Sequence, residues 1–382
     1  MKTLITALVI TSASYAAFAQ TTDTTAVSAP TQAQSDVAPN SGLTIAGYVE
    51  AYYSHDFTLA KTTPERPGFL YNHRRNREVN INLAFLKAAY TSERVRGNLA
   101  VQVGNYAQYN YAAEQELTKN IFEANAGVKL SKNHDLWLDA GIFASHIGFE
   151  SAISKDCWTL TRSILAENSP YYLAGAKVTY NAGNGKLTLL GMVTNGWQRI
   201  RKLDGYSGPS ISTQVQYRPS PMLTLNWSSF LGSDRPDSLK QGRFFNNFYA
   251  IINPAGRFGV TLGFDVGSDR KPVLRTGSDA RVDGGGSYIW YSPVVIARYK
   301  TSDKSYVNGR VEYYEDKNAV IIGIPGFQTM GYSLGYDYVI MPNALFRVEG
   351  KLYDSKPNAS AGPIFEGKRG NTSLTTSLAV SF

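Results

Sequence analysis

Acid–base chemistry in this chain would have to draw on four histidines, His55, His73, His134 and His146, and His146 has a serine, Ser145, directly before it. A serine hydrolase needs hydroxyl and imidazole within hydrogen-bond reach. Neighbours in an extended segment point to opposite faces, so Ser145 cannot donate to His146. No G-x-S-x-G element accompanies them. The stretch GNGKL at 183–187 has Tyr180 where a phosphate-binding loop has its first glycine and lacks Ser or Thr after Lys186, so it reads as a turn. Histidine, cysteine, aspartate and glutamate nowhere take metal-ligand spacing, and nothing calls for a cofactor.

A different chemistry is written in residues two apart. Arg310 and Glu312 alternate with Val311 and Tyr313, and Arg347, Glu349 and Lys351 alternate with Phe346, Val348 and Leu352. Period two separates the two sets onto opposite faces of a strand. Arg298 and Lys300 join the charged set from a preceding segment. An arginine or lysine at the lipid midplane would cost ~2 to 4 kcal/mol, so the charged face must point away from lipid. The six residues Arg298, Arg310, Glu312, Arg347, Glu349 and Lys351 are therefore the candidates for lining an aqueous pore.

The elements that position them recur along the whole chain from Leu43 to Phe382. Stretches of ~10 residues alternate apolar and polar, as in Leu99, Val101 and Val103 against Asn98, Ala100 and Gln102. Between them lie seven short breaks, such as Ser92 to Arg94, and eight long ones, such as Leu59 to Arg75 and Gly148 to Tyr171. This predicts an all-β, transmembrane antiparallel β-barrel of about 16 strands, with short periplasmic turns, long extracellular loops and both termini periplasmic. A mean hydropathy of −0.24 fits, because half of each strand faces water. Tyr90, Tyr180, Tyr217 and Tyr299 sit beside short breaks, where an interfacial aromatic girdle belongs. One strand breaks parity: Val79, Ile81, Leu83 and Phe85 suggest an odd lipid face, yet Lys87 is odd and Leu86 even, so either a β-bulge is expected near Leu86 or Lys87 snorkels to the periplasmic interface.

Lys2, the apolar run Leu4 to Ile10 and the A-x-A site at Ala17–Ala19 read as a signal peptide over 1–19. Residues 20–42, rich in Thr, Ala, Gln, Ser and Pro, read as a disordered periplasmic leader before a barrel over 43–382. The destination is the bacterial outer membrane. That compartment turns a formal charge of +8 away from nucleic acid. The expected partners are outer-membrane lipids and lipopolysaccharide, the barrel-assembly machinery and small hydrophilic solutes. The single cysteine, Cys157, is expected to be an inert polar-loop residue. A plugged transporter of ~22 strands would not fit this length.

The stretch ASHIGFESAISKDCWTLTRSILAENSPYYLAGAKVTY, residues 144–180, resembles the OmpL-like β-barrel porin family of Gram-negative outer-membrane proteins, as do TNGWQRI at 194–200 and RVEYYED at 310–316. Cys157 departs from the polar residue expected at its position. The resemblance implies a pore-forming barrel whose third long loop folds into the lumen. On position alone, His146, Glu150, Arg162, Ser163, Glu167 and Asn168 become candidates for the polar lining of a constriction. Alternatively Arg162 and Glu167 tie that loop to the barrel wall.

The reading is a porin, with no catalytic residues, for passive diffusion of small hydrophilic solutes. The alternatives are a non-conducting surface or adhesion barrel, or a barrel hydrolase. Monomer and homotrimer stay open. Arg74, Arg75, Arg77, Arg199, Arg201 and Lys202 near two long loops suggest a positive mouth. Phe382, an aromatic ending an alternating strand, resembles the signal by which outer-membrane barrels are recognised for assembly.

Overall fold

A computed structural model describes residues 42–382 except 240, 255, 272, 277–279, 284 and 357–363. The signal peptide and leader fall outside the described residues. The strands are β1 Gly42–Asp56, β2 Val79–Thr91, β3 Val95–Val103, β4 Ile121–Lys129, β5 Asp135–Ala144, β6 Tyr172–Ala182, β7 Leu187–Thr194, β8 Ser210–Ser220 and β9 Leu223–Gly232. They continue with β10 Arg243–Ile252, β11 Phe258–Arg270, a small hairpin of β12 Val273–Thr276 and β13 Ala280–Asp283, then β14 Ser287–Ser302, β15 Ser305–Asn318, β16 Pro325–Met341, β17 Ala344–Ser355 and β18 Gly370–Ser381. Sixteen of them form a closed antiparallel barrel, and the β12–β13 hairpin stands apart in a long connection.

Closure runs through β1 and β18, paired from Tyr48↔Ser381 to Asp56↔Ser373. Beyond the last rung, Phe382 exchanges backbone hydrogen bonds with Gly47, N to O at 3.0 Å and O from N at 2.7 Å. The Phe382 ring lies over Gly47, where a β-carbon would come within 2.3 Å of it. An aromatic ring covering a strand glycine restores packing that the glycine cannot supply.

The outward face follows the sequence alternation. Tyr332, Leu334, Tyr336, Tyr338 and Ile340 of β16 are exposed, as are Phe346 and Leu352 of β17 and Val307 and Val311 of β15. Asp337, Arg310, Glu312, Arg347, Glu349 and Lys351, on the other face, are buried. Tyr90, Tyr217 and Tyr299 lie exposed beside short turns.

Strand β2 departs from the expected geometry. Glu50 pairs with Leu83 and the next residue, Ala51, with Ile81, so the extra residue is Asn82, four positions before the bulge expected near Leu86. Leu83 and Phe85 consequently face inward, Phe85 stacking between Tyr48 and Phe122, while Leu86 is exposed. Lys87 also points inward and pairs with Glu123 at 2.5 Å. Leu83 and Phe85 depart from the expected lipid face because this barrel carries apolar material inside. Two interior clusters, one around Tyr106, Tyr111, Trp158 and Tyr172 and one around Phe69, Phe245, Trp290 and Phe327, join inward side chains to residues of the long connections.

Candidate functional site: the connection folded into the lumen

Residues 145–171 join β5 to β6 and carry two short helical turns, Ser154–Asp156 and Ile164–Glu167. A segment of this length with its own polar backbone can be buried only if the wall supplies partners. The alternating charges of β15 and β17 do so. Glu349 accepts from Thr161 N and Thr161 Oγ1, both at 2.7 Å. Arg310 donates to Thr161 O at 2.7 Å and Thr159 Oγ1 at 2.8 Å, and pairs with Glu349 at 3.0 Å. Glu312 accepts from Ile164 N at 2.5 Å, Lys351 donates to Arg162 O at 2.8 Å, and Arg347 donates to Ser154 O at 2.6 Å.

The connection reaches other walls too. His146 Nε2 lies 2.7 Å from Ser212 Oγ of β8, and Gly148 N donates to Asn247 Oδ1 of β10 at 3.1 Å. Ser169 Oγ donates to Asp265 of β11 at 2.6 Å, and Ser154 Oγ donates to Glu50 of β1. Phe149 and Trp158 lie over Gly263 and Gly259 of β11, where any β-carbon would collide with their rings. The segment thus crosses the lumen and is fastened on several sides.

Against this geometry, the six wall candidates divide. Arg310, Glu312, Arg347, Glu349 and Lys351 are each at most 3% exposed. The expectation that they line an aqueous path is corrected: they are buried against the polar atoms of the connection, against one another and against Asp337. Arg298 stands apart, stacked 3.7 Å over Tyr306 and 3.8 Å from Asp337, with its Nε unpartnered among the described residues.

The loop candidates also part company. Arg162 does not reach the wall: its guanidinium donates to the carbonyls of Ser151, Leu160 and Ala152 and holds the connection's own turn. Glu150 accepts from Ser163 N and its hydroxyl, bracing the turn before Ile164. Glu167 accepts from Tyr71 N at 2.9 Å and Asn72 N at 3.2 Å, and Asn168 Nδ2 donates to Phe69 O at 3.2 Å, so these two residues join the third long connection to the first. Burial pushes the Glu167 carboxyl above its ordinary range despite those donors. Burial likewise lowers His146 to about 3, so the ring is neutral.

Cys157 corrects the expectation of a polar loop residue. It is buried, its sulfur accepts from Ser151 N at 3.2 Å, and burial raises the thiol to about 11. Glu50 and Asn82 escaped the sequence reading altogether. Glu50 gathers His73 at 3.2 Å, Asn82 Nδ2 at 3.0 Å and Ser154, and Asn82 Oδ1 accepts from His73 N at 2.8 Å. The parity break around Lys87 was the available signal, because the bulge is what turns Asn82 inward.

The expected positive mouth is neutralised only in part. Arg74 and Arg75 pair with Glu65, Arg75 also with Glu78, and Arg201 with Asp204. Arg77 donates to the carbonyls of Asp56 and Leu59, and Lys202 to Ser207 O.

A closed sixteen-strand sheet with an apolar outer surface and a connection folded into its lumen defines an outer-membrane porin. A family model described as "Putative beta-barrel porin-2, OmpL-like" matches residues 42–382, and the chain belongs to that family. Its place is the bacterial outer membrane. Comparison with curated protein sequences found no match. Among solved structures it is similar to the anion-selective porin from Comamonas acidovorans, 11% identical with a TM-score of 0.58 over 90% of this chain and 100% of that one. It is also similar to the outer-membrane channel DcaP of Acinetobacter baumannii, 11% identical with a TM-score of 0.58 over 90% and 97%. The trimer form of OmpT from Vibrio cholerae is 10% identical, with a TM-score of 0.55 over 90% and 99%. At these identities the likeness concerns the fold.

Proposed function

We propose that the protein is a diffusion porin in which residues 145–171, clamped to the wall by Arg310, Glu312, Arg347, Glu349 and Lys351, set the width of the passage. The observation that carries this is the sixteen-strand closure, since barrels of ~16 to 18 strands leave room for an aqueous channel where eight are filled by side chains. His146, Glu150, Arg162, Glu167 and Asn168 act as the braces of the constriction rather than as contacts for the solute. Incorporation of the purified protein into a planar bilayer in potassium chloride tests this: discrete current steps support it, and a folded barrel that gives none sinks it.

A second reading, a non-conducting surface barrel, is favoured by one observation: the interior carries two apolar clusters and a charged layer that is dry. The same bilayer experiment separates the two. A hydrolase finds less support, because the His146–Ser212 pair is buried. Assembly as a homotrimer is part of the proposal, since OmpT of Vibrio cholerae is described in a trimer form. Lipopolysaccharide, the assembly machinery and small hydrophilic solutes are its proposed partners, and residues 1–19 and 20–42 its proposed signal peptide and leader.

A further inference from the structure

The long-connection end of the barrel holds a cavity of about 280 Å3, bounded by residues of six connections. Its cations are not equivalent. Arg243 is committed to Asp234 at 2.6 Å and Asp269 at 2.9 Å and lies against the rings of Trp197 and Trp290. Asp234 is used up in turn, with Oδ2 on Arg243 and Oδ1 accepting from Trp197 N at 3.2 Å. Arg199, half-buried on the same cavity wall, has no hydrogen-bond or ion-pair partner for its guanidinium among the described residues.

The other carboxylate on the wall does not compensate it. Glu167 turns its Oε2 away to the N–H groups of Tyr71 and Asn72 and to Asn72 Nδ2. Asn110 Nδ2 and Asn168 Oδ1, on buried side chains lining the cavity, are likewise without partners among the described residues, one a donor and one an acceptor. The remaining accessible lining mixes polar and apolar groups, Gln198 standing beside Tyr71, Tyr109, Ala113, Val320 and Ile321. An unpaired guanidinium beside apolar surface selects a ligand that carries one carboxylate and an apolar body.

We infer that this cavity binds a small organic carboxylate, its charge on Arg199 and its body against Tyr71, Tyr109 and Ile321. The inference deepens the diffusion reading and rests on it for the claim that such an anion is a permeant, whereas binding itself can be measured without conductance. The full barrel, folded in detergent micelles, is titrated against 4-fluorobenzoate and followed by fluorine NMR, with neutral 4-fluorobenzyl alcohol as the comparison ligand. Arg199→Gln should weaken benzoate binding about tenfold or more, while Arg201→Gln, whose partner is Asp204, leaves it unchanged. The alcohol should bind more weakly than benzoate and be indifferent to both substitutions. Equal benzoate affinity in wild type and Arg199→Gln, or an alcohol that binds as well as the carboxylate, overturns the inference. Binding without current steps would instead count against the diffusion reading alone.

Discussion

Glu349 and Thr161 lie 188 positions apart in the chain, yet both oxygens of the carboxylate are taken by one residue, Oε2 by the backbone N–H and Oε1 by the hydroxyl, each at 2.7 Å. A side chain on the wall is thereby made the partner of a backbone that would otherwise be buried without one. Arg310 closes the arrangement by holding Thr161 O at 2.7 Å and Glu349 at 3.0 Å.

Replacing Glu349 should therefore cost more than its own hydrogen bonds, because the Arg310 guanidinium loses a buried counter-charge. Glu349→Ala is expected to destabilise the folded barrel by about 3 kcal/mol or more, and Thr161→Val, which keeps the backbone contact, by about 1 kcal/mol. Urea unfolding followed by loss of heat-modifiable mobility measures both, and equal small effects would dissolve the clamp.

The contact between Phe382 and Gly47 predicts an assembly phenotype. Deleting Phe382 removes two backbone hydrogen bonds at the seam and uncovers Gly47. We expect less folded barrel in the outer membrane, with the conductance of surviving channels unchanged. Normal membrane levels of the truncated protein would reduce Phe382 to one more interfacial aromatic.

Acid should loosen the connection through His146. Its folded pKa is lowered by burial to about 3 from an ordinary 6.5, so below pH 6.5 the unfolded chain takes up a proton that the folded one refuses. Stability contributed by the neutral ring is full above pH 6.5 and is lost as pH falls towards 3, by at most about 1.4 kcal/mol per pH unit. Glu167, displaced upward, pulls the opposite way but equally in any His146 variant. Wild type should therefore lose stability on acidification faster than His146→Gln. Parallel stability curves from pH 7 to pH 4 would contradict this.

What the sequence made legible was whatever repeats with a period of two. The sixteen strands, the turns at 92–94 and 341–343 and the outward Tyr332, Tyr336 and Val311 all follow from alternation, which is a local property. The clamp was half visible: Arg310, Glu312, Glu349 and Lys351 could be placed on the inner face, but their partners in 145–171 lie more than 140 positions away and carry no periodic mark. Dryness was hidden for the same reason, since a wall residue is buried or wet according to what folds over it. Leu83 and Phe85 misled because apolar residues were assigned to lipid, whereas Tyr48 and Phe122 await Phe85 inside. The isolation of Arg199 was beyond any local signal, being settled by which cation Asp234 accepts.

Passage of solutes through a lumen narrowed by a connection clamped to its wall is tested by single-channel recording of wild type beside Glu349→Gln in potassium chloride. Stable discrete steps are predicted for wild type, and larger, more frequently fluctuating steps for the variant, whose neutral amide no longer balances Arg310. Silence from verified folded wild-type barrels, or indistinguishable traces from the two proteins, would contradict it.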